Sequence, residues 1–336
     1  MSNFALITCS KAEPPDTIEV NSASGKNVIA RLIDFLRAKL TKTDLRTENT
    51  QKLVPIEAKS IELYENTSMF VINIPYEKEK LIKEIERITE FIHNFSRENE
   101  INCIVMSDEL KDIEADWNSN ASFDGHILYL SLLNVILDEI CSNKGIKIGD
   151  LDITIIHGKS NELSAILSLL APIVKYMTVL TDRKDDLEYE INQIYDETGL
   201  SVSLSSEPKA ALKGCDIIIN LGDAGCINST KLNSKTLIIN FDAAASKSII
   251  NENVIITGVE VVLPVKLLQK LDKEILKNFN TSSLAELVLC NKLGYFHANK
   301  ENKYEILKSI ADQFKKDGYR IASLKGRHNT IRLEQI

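Results

Sequence analysis

The chain has few of the features that mark secreted, membrane-bound or nucleic-acid-binding proteins. Its six cysteines form no C-x-x-C pair and most lie in apolar stretches, which predicts buried free thiols in a reducing compartment. The first residues lack a basic segment, and no apolar run reaches the ~20 residues that cross a bilayer. A net charge of -8 disfavours nucleic acids and anionic membranes as partners. These absences predict a cytoplasmic protein.

Histidine is scarce as well, and its distribution does not favour a metal site. The five histidines show no metal-ligand spacing with one another or with the cysteines, so we predict no metal. The remaining composition, 44% apolar and 26% charged, is that of an ordinary globular protein. Because single cores stop growing near ~250–300 residues, a chain of 336 residues predicts two domains.

Short apolar stretches alternate with amphipathic ones, which favours an α/β architecture. Between residues 150 and 264 the predicted strands are so short and apolar that helices must cover both faces, as in a doubly wound parallel sheet. We predict a smaller N-terminal α/β domain over 1–126 and a connecting helix and linker over 127–149. We further predict a Rossmann domain over 150–264. The last predicted region, over 265–336, is helical and ends in a hairpin. The helices predicted outside the Rossmann domain include Asn27–Leu40, Glu77–Phe95 and Ile127–Ile140.

The turn at Gly158 is the most informative part of the predicted Rossmann domain. It follows the apolar strand Ile153–Ile156 and precedes a helix, whose first backbone N–H groups could bind a dinucleotide pyrophosphate. Of the three glycines in G-x-G-x-x-G only the first is present, since Ser160 and Leu163 occupy the other positions. A Rossmann domain that binds no dinucleotide is therefore the alternative. The predicted pyrophosphate contacts are Gly158, Lys159, Ser160 and Asn161.

A charged corner follows the second predicted strand, where dinucleotide-binding proteins contact the adenosine ribose. Asp182 could accept hydrogen bonds from the ribose hydroxyls, and Arg183 could receive the 2′-phosphate of NADP. Both NAD and NADP thus remain open as cofactors. The alternative is a solvated helix start, because Asp185 and Asp186 follow and acidic residues favour that position.

The fourth predicted strand carries a family resemblance. Asp216-Ile-Ile-Ile-Asn220-Leu-Gly-Asp-Ala-Gly225 resembles the D-[IV]-[IV]-I-N-A-T-x-x-G signature of shikimate dehydrogenases. Asp182-Arg183-Lys184 is similar to that family's N-R-[ST] cofactor corner. Glutamyl-tRNA reductases and acyl-carrier-protein reductases have related cofactor domains. The resemblance implies an NAD(P)-binding Rossmann domain in which Asn220, Gly222 and Asp223 line the nicotinamide side.

The same resemblance implies a pair of catalytic residues. Asn73-Ile-Pro75-Tyr-Glu-Lys78 is similar to the family's N-[VI]-T-x-P-x-K, and Ser122-Phe-Asp124-Gly125 to its N-T-D-x-x-G, although both are out of register and lack the threonines. Lys78 and Asp124 would bind a substrate hydroxyl in a cleft between the domains and pass a proton. A solvated lysine is the alternative for Lys78. His126 is a further acid–base candidate.

Three functions are compatible with these motifs. The first is an NAD(P)-dependent oxidoreductase acting on a carbonyl, hydroxyl or acyl group of a small metabolite. The second is a Rossmann protein that senses another nucleotide-like ligand, and the third is a scaffold without a ligand. We take the first as the main expectation, because the ribose corner and the fourth strand indicate an ancestry in cofactor binding. A small molecule is then the expected partner, and a homodimer is compatible with the sequence.

Overall fold

A computed structural model of the chain describes residues 3–9, 56–64, 67–76, 78–110, 123–158, 162–222, 224–242, 248–295, 298, 300–327 and 329–332. It divides into two compact units, Met1–Ser122 and Phe123–Ile336. The predicted helix Asn27–Leu40 lies outside the described residues. None of the six cysteines, all of which the structure describes, forms a disulfide, and four of them are buried. Within the described ranges, no helix combines the length and apolar character that crossing a membrane requires.

The first unit is built on a four-stranded sheet in the order β2-β3-β1-β4. Strands β3 and β4 run parallel to β1, and β2 is antiparallel to β3. Helix α2 packs on this sheet through Ile88, Ile92 and Phe95, which the helical repeat places on one face. The elements of this unit are β1 (Asn3–Cys9), β2 (Glu57–Tyr64), β3 (Thr67–Ile74), α1 (Lys78–Lys83), α2 (Ile85–Glu98) and β4 (Ile101–Met106).

The helix predicted over Glu77–Phe95 is two helices, because the backbone of Glu84 leaves helical dihedral angles (φ -102°, ψ 11°) between α1 and α2. The helix predicted over Ile127–Ile140 is likewise broken, at Leu132 (φ -87°, ψ 4°). In both cases the apolar repeat continues across the break, so the sequence pattern alone indicates one helix. Both halves of the second helix lie in the second unit.

The second unit contains an eight-stranded sheet in the order β12-β11-β10-β9-β8-β5-β6-β7. Six of these strands are parallel, in the order β7-β6-β5-β8-β9-β10. This is the 3-2-1-4-5-6 order of a Rossmann domain, which confirms the doubly wound fold. Every residue of β5, β8 and β9 is buried, as their apolar sequences predicted. The strands are β5 (Ile153–Ile156), β6 (Tyr176–Leu180), β7 (Ser201–Ser205), β8 (Ile217–Asn220), β9 (Leu237–Asn240), β10 (Ile255–Val262), β11 (Arg320–Gly326) and β12 (Thr330–Ile331).

Ten helices lie between or beside these strands in the described part of the second unit. Gly125, with φ 92°, turns the chain into the first of them. They are α3 (His126–Ser131), α4 (Leu133–Lys144), α5 (Leu163–Leu170), α6 (Lys184–Thr198), α7 (Pro208–Ala211), α8 (Gly225–Ser229), α9 (Val265–Leu268), α10 (Lys273–Asn278), α11 (Thr281–Lys292) and α12 (Lys300–Asp317).

The C-terminal region is part of the second unit's core. The predicted terminal hairpin is present and extends the sheet, because β11 pairs antiparallel with β10 and β12 with β11. Helix α11 packs on β10 and α3, and α12 packs on α11, α3 and α5. Residues Ser282–Asn291 of α11 are all buried, so this helix is central rather than peripheral.

Candidate ligand site at the carboxyl edge of the second sheet

The switch point of the sheet lies between β5 and β8, from which the chain winds outward in opposite directions. Ligands of doubly wound folds bind at the carboxyl ends of such strands. The turn after β5 and the turn after β8 meet there through Gly158 and Gly222. A Cβ atom built on Gly158 would lie 2.1 Å from the oxygen of Leu221 and 2.5 Å from the Cα of Gly222. Only glycine permits this approach, so two of the predicted site residues form the floor of the switch point together.

The predicted ribose corner is held by a hydrogen-bond network at the ends of β5 and β6. The Nη2 of Arg183 donates to the Nε2 of His157 (3.2 Å) and to the carbonyl oxygen of Gly158 (3.1 Å). Since arginine only donates, Nε2 is the acceptor and the imidazole carries its proton on Nδ1, which donates to the Oγ1 of Thr181 (3.1 Å). The same oxygen accepts the backbone N–H of Arg183 (3.1 Å). His157 is therefore a neutral support for the guanidinium.

The electrostatics of the corner agree with this arrangement. Burial lowers the pKa of His157, and the positive charge of Arg183 lowers it further. Arg183 and Asp182 are both exposed at the end of β6, where the sequence predicted them. The Nη1 and Nε groups of Arg183 donate to no described residue, so they can receive an anion. The corner thus presents exposed guanidinium N–H groups, which are strong donors to anions.

Asn220 differs from its predicted role. Its side chain is fully buried, and its Nδ2 donates to the carbonyl oxygen of Gly222 (3.0 Å) and to the Oδ1 of Asn240 (2.7 Å). The Nδ2 of Asn240 donates in turn to the carbonyl oxygen of Asp242 (2.6 Å). Because all of these groups are engaged inside the protein, the Asn220 side chain shapes the turns after β8 and β9 and offers no group to a ligand.

A histidine–carboxylate pair, which the sequence did not predict as a pair, lies at the same edge. The Nε2 of His126 is 2.5 Å from the Oε1 of Glu162, and the two side chains are about one-third exposed (34% and 27%). Glu162 immediately precedes α5, and the His126 ring packs edge-on against Phe241, which follows β9 (ring centroids 5.9 Å apart). The pair therefore lies near the ends of β5 and β9, the two neighbours of β8.

Negative charge surrounds His126. The hydrogen bond to Glu162 raises the pKa of His126, burial opposes this, and the charges of Glu162, Asp124 and Glu286 raise the pKa further. Glu162 was missed because its role depends on a partner far away in the sequence. Its position immediately before an apolar helix that follows a strand was the available signal.

Behind this pair lies the buried carboxyl group of Glu286 on α11. Its Oε2 accepts the backbone N–H of Leu128 (2.9 Å), whereas its Oε1 is buried without a hydrogen-bond partner in the described part of the chain. Burial raises the pKa of Glu286 to about 7. Burial, together with the charges of Cys290, Glu286 and Glu162, raises the pKa of Tyr295 to about 12. As the one ionisable acid inside an apolar helix, Glu286 could have been noticed in the sequence.

The remaining predicted site residues have different outcomes. Asp124 is exposed, and its Oδ1 accepts the backbone N–H of His126 (3.0 Å), which fixes the start of α3. Lys78 is the first residue of α1 in the other unit, so its pairing with Asp124 stays a prediction. No described residues form a cluster of three or more potential metal ligands. The predicted contacts that lie outside the described residues are Lys159, Ser160, Asn161 and Asp223.

Comparisons with known proteins give distant structural similarities. No protein-family model and no curated protein matches the chain. Ligand-free 5-ketofructose reductase of Gluconobacter sp. strain CHM43 is 10% identical, over 93% of this chain and 99% of its own, with a TM-score of 0.32. Shikimate 5-dehydrogenase from Listeria monocytogenes, in complex with shikimate and NAD, is 9% identical over 92% and 96%, with a TM-score of 0.29.

A third solved structure matches only part of the chain. Thermococcus litoralis Δ1-pyrroline-2-carboxylate reductase, in complex with NADH and L-proline, is 11% identical and has a TM-score of 0.26. The match covers 34% of this chain and 36% of that enzyme. At these identities and TM-scores, the activities of the three enzymes do not transfer to this protein.

Proposed function

We propose that the second unit binds a nicotinamide dinucleotide, NADP in preference to NAD, at the carboxyl edge of its parallel sheet. The chain would then be an oxidoreductase of the shikimate dehydrogenase-like branch that acts on a carbonyl, hydroxyl or acyl group of a small metabolite. The observation that carries this proposal is the position of Arg183 at the end of β6, held there by His157 and the carbonyl oxygen of Gly158. In a sheet with this strand order, that is where the adenosine ribose of a dinucleotide lies.

Different residues at this edge of the sheet would contact different parts of the cofactor. Asp182 would accept the ribose hydroxyls and Arg183 would receive the 2′-phosphate, with the exposed guanidinium groups as donors. The turn from Gly158 to Asn161 would bind the pyrophosphate, and the turn with Gly222 and Asp223 would line the nicotinamide side. The bound cofactor would supply or accept the hydride.

A second function has one specific observation in its favour. Glu162 places a carboxylate at the end of the turn that would bind the pyrophosphate, where a negative charge opposes an anionic ligand. In the dinucleotide proposal this charge is balanced by His126, to which Glu162 is hydrogen-bonded. If His126 does not compensate the charge of Glu162, the second unit is better suited to a ligand other than a dinucleotide. The protein would then be a non-catalytic binding, sensing or scaffold protein.

The test is the affinity for NADP and NAD, measured by isothermal titration calorimetry on the full chain. Arg183→Ala should weaken NADP binding by about 1–3 kcal/mol, or roughly 5- to 150-fold, because a charged hydrogen bond to the 2′-phosphate is lost. NAD binding should change little, since NAD has no 2′-phosphate. Lys175→Ala is the matched control, because it removes a charge that is 72% exposed and paired with Asp150 near the other end of β6.

Three outcomes are distinct. A selective loss of NADP affinity in Arg183→Ala supports the proposal, and an equal loss for both cofactors contradicts the preference for NADP. Absence of any dinucleotide binding at millimolar concentration contradicts the cofactor altogether. The non-catalytic alternative is then the better explanation of the fold.

A further inference from the structure

His126 and Glu162 have the geometry of an acid–base pair. Glu162 accepts the Nε2–H of His126, whereas Nδ1 forms no hydrogen bond to any residue that the structure describes. About a third of the His126 side chain is exposed, so the pair is not sealed in the core. A carboxylate on one nitrogen fixes the imidazole tautomer and leaves the other nitrogen available to a substrate.

The pair is held in place from several directions. The backbone N–H of His126 is bonded to Asp124, and its ring packs edge-on against Phe241. Glu162 immediately precedes α5, which follows the switch-point strand β5. Because each contact comes from a different element, the imidazole is positioned before any ligand binds, as catalysis by proton transfer requires.

We propose that His126 exchanges a proton with the oxygen of a carbonyl or hydroxyl substrate bound at the switch point, and that Glu162 is its positioning residue. This inference rests on the proposed function, because the hydride must come from or go to the dinucleotide. In the reducing direction, the Nδ1 proton of the imidazolium moves to the substrate oxygen, the imidazole becomes neutral, and Glu162 remains a carboxylate. Water then returns the proton to Nδ1. In the oxidising direction, Nδ1 takes the hydroxyl proton.

The carboxyl groups around His126 raise its pKa and so favour its protonated form. Glu162 at the start of α5, Asp124 before α3 and Glu286 on α11 all face it, and Tyr295 lies near Glu286 and Glu162. The three carboxyl groups raise the pKa of His126, whereas no cation is among the groups that shift it. These carboxyl groups therefore favour the imidazolium, the form of His126 that can donate a proton to a carbonyl substrate.

The test uses diethylpyrocarbonate, which modifies unprotonated imidazoles, with peptide mass spectrometry on the full chain across a range of pH. Glu162→Gln should move the labelling midpoint of His126 to lower pH, because it removes the paired charge. Glu162→Asp keeps the charge and should retain most of the upward shift. Glu188→Gln, which removes an exposed charge from α6, should leave the midpoint unchanged.

The same labelling experiment with saturating NADPH tests whether His126 lies at the proposed cofactor site. NADPH should slow the labelling of His126 severalfold and leave the exposed His93 of the first unit unaffected. NADPH binding by calorimetry without protection of His126, or a midpoint that Glu162→Gln does not move, would overturn this inference and leave the proposed function intact. If NADPH does not bind at all, the proposed function fails first and this inference fails with it.

Discussion

Replacing Glu286 by glutamine should make the stability of the protein less dependent on pH. The carboxyl group is fully buried on α11, and its hydrogen-bond partners among the described residues are the backbone N–H groups of Leu128 and Gly125. Ionisation of this group inside the protein is therefore penalised, which raises its pKa from 4.5 to about 7. Glutamine keeps an acceptor for the Leu128 N–H and removes the charge.

The size and sign of the effect follow from the two pKa values. A rise from 4.5 to about 7 corresponds to about 3 kcal/mol between the two protonation states. Between these pH values the folded protein keeps the proton that the unfolded chain releases, so the unfolded state binds fewer protons. The free energy of unfolding then falls as pH rises from about 4.5 to about 7, and this contribution is constant above.

Urea unfolding of the wild type and of Glu286→Gln at pH 5 and pH 8 measures this contribution. Titrating groups that do not interact with Glu286 are common to both proteins, so they cancel in the difference, which then contains Glu286 and its effect on the pKa of His126 and Tyr295. The variant should gain up to about 3 kcal/mol over the wild type on going from pH 5 to pH 8. Glu188→Gln, on the exposed face of α6, should show the wild-type dependence. An identical pH dependence in wild type and Glu286→Gln would show that Glu286 is ionised at little cost.

Two further predictions concern the switch point and the first unit. Gly158→Ala should destabilise the protein by about 1–3 kcal/mol or more in urea unfolding, because its Cβ would meet the backbone of the β8 turn, which cannot yield as a side chain can. Gly149→Ala, whose Cβ would make only ordinary contacts at 3.6 Å and beyond, is the control; equal effects of the two changes would contradict the steric argument. If Lys78 has the shikimate-type role, Lys78→Ala should abolish NADP-dependent turnover at unchanged NADP affinity, and Lys83→Ala should not. Full turnover by Lys78→Ala would rule out the shikimate-type mechanism.

The doubly wound sheet could be predicted because its strands carry their own signal. Strands such as Ile153–Ile156 and Ile217–Asn220 are apolar at every position or nearly so, and this pattern requires cover on both faces. The corner at Asp182 and Arg183 was also predictable, since a strand end places the next residues at a known edge of the sheet. In each case the relevant information lies within a few consecutive residues.

The helix breaks and the His126–Glu162 pair were not predictable in this way. At Glu84 and Leu132 the backbone leaves helical dihedral angles while the apolar repeat continues, so the sequence pattern contains no signal. Glu162 acquires its partner only when α3 folds against the edge of the sheet. Asn220 shows the converse, because a motif that resembles a ligand contact proved to be a buried hydrogen-bond ladder.

The pKa values of the two histidines at this edge, His157 and His126, are shifted in opposite directions, and the two residues lie on opposite sides of the switch point. His157, at the end of β5 towards β6, has its pKa lowered by burial and by Arg183, so it stays neutral and supports a cation. His126, whose partners Glu162 and Phe241 flank β8, has its pKa raised by a carboxylate, which favours its charged form. An anion is thus favoured on the β6 side of the switch point and a proton on the β9 side.

A dinucleotide bound across a Rossmann edge places its adenosine phosphate on the first side and its reacting ring on the second. The polarity of the edge therefore agrees with the direction in which the proposed cofactor would lie.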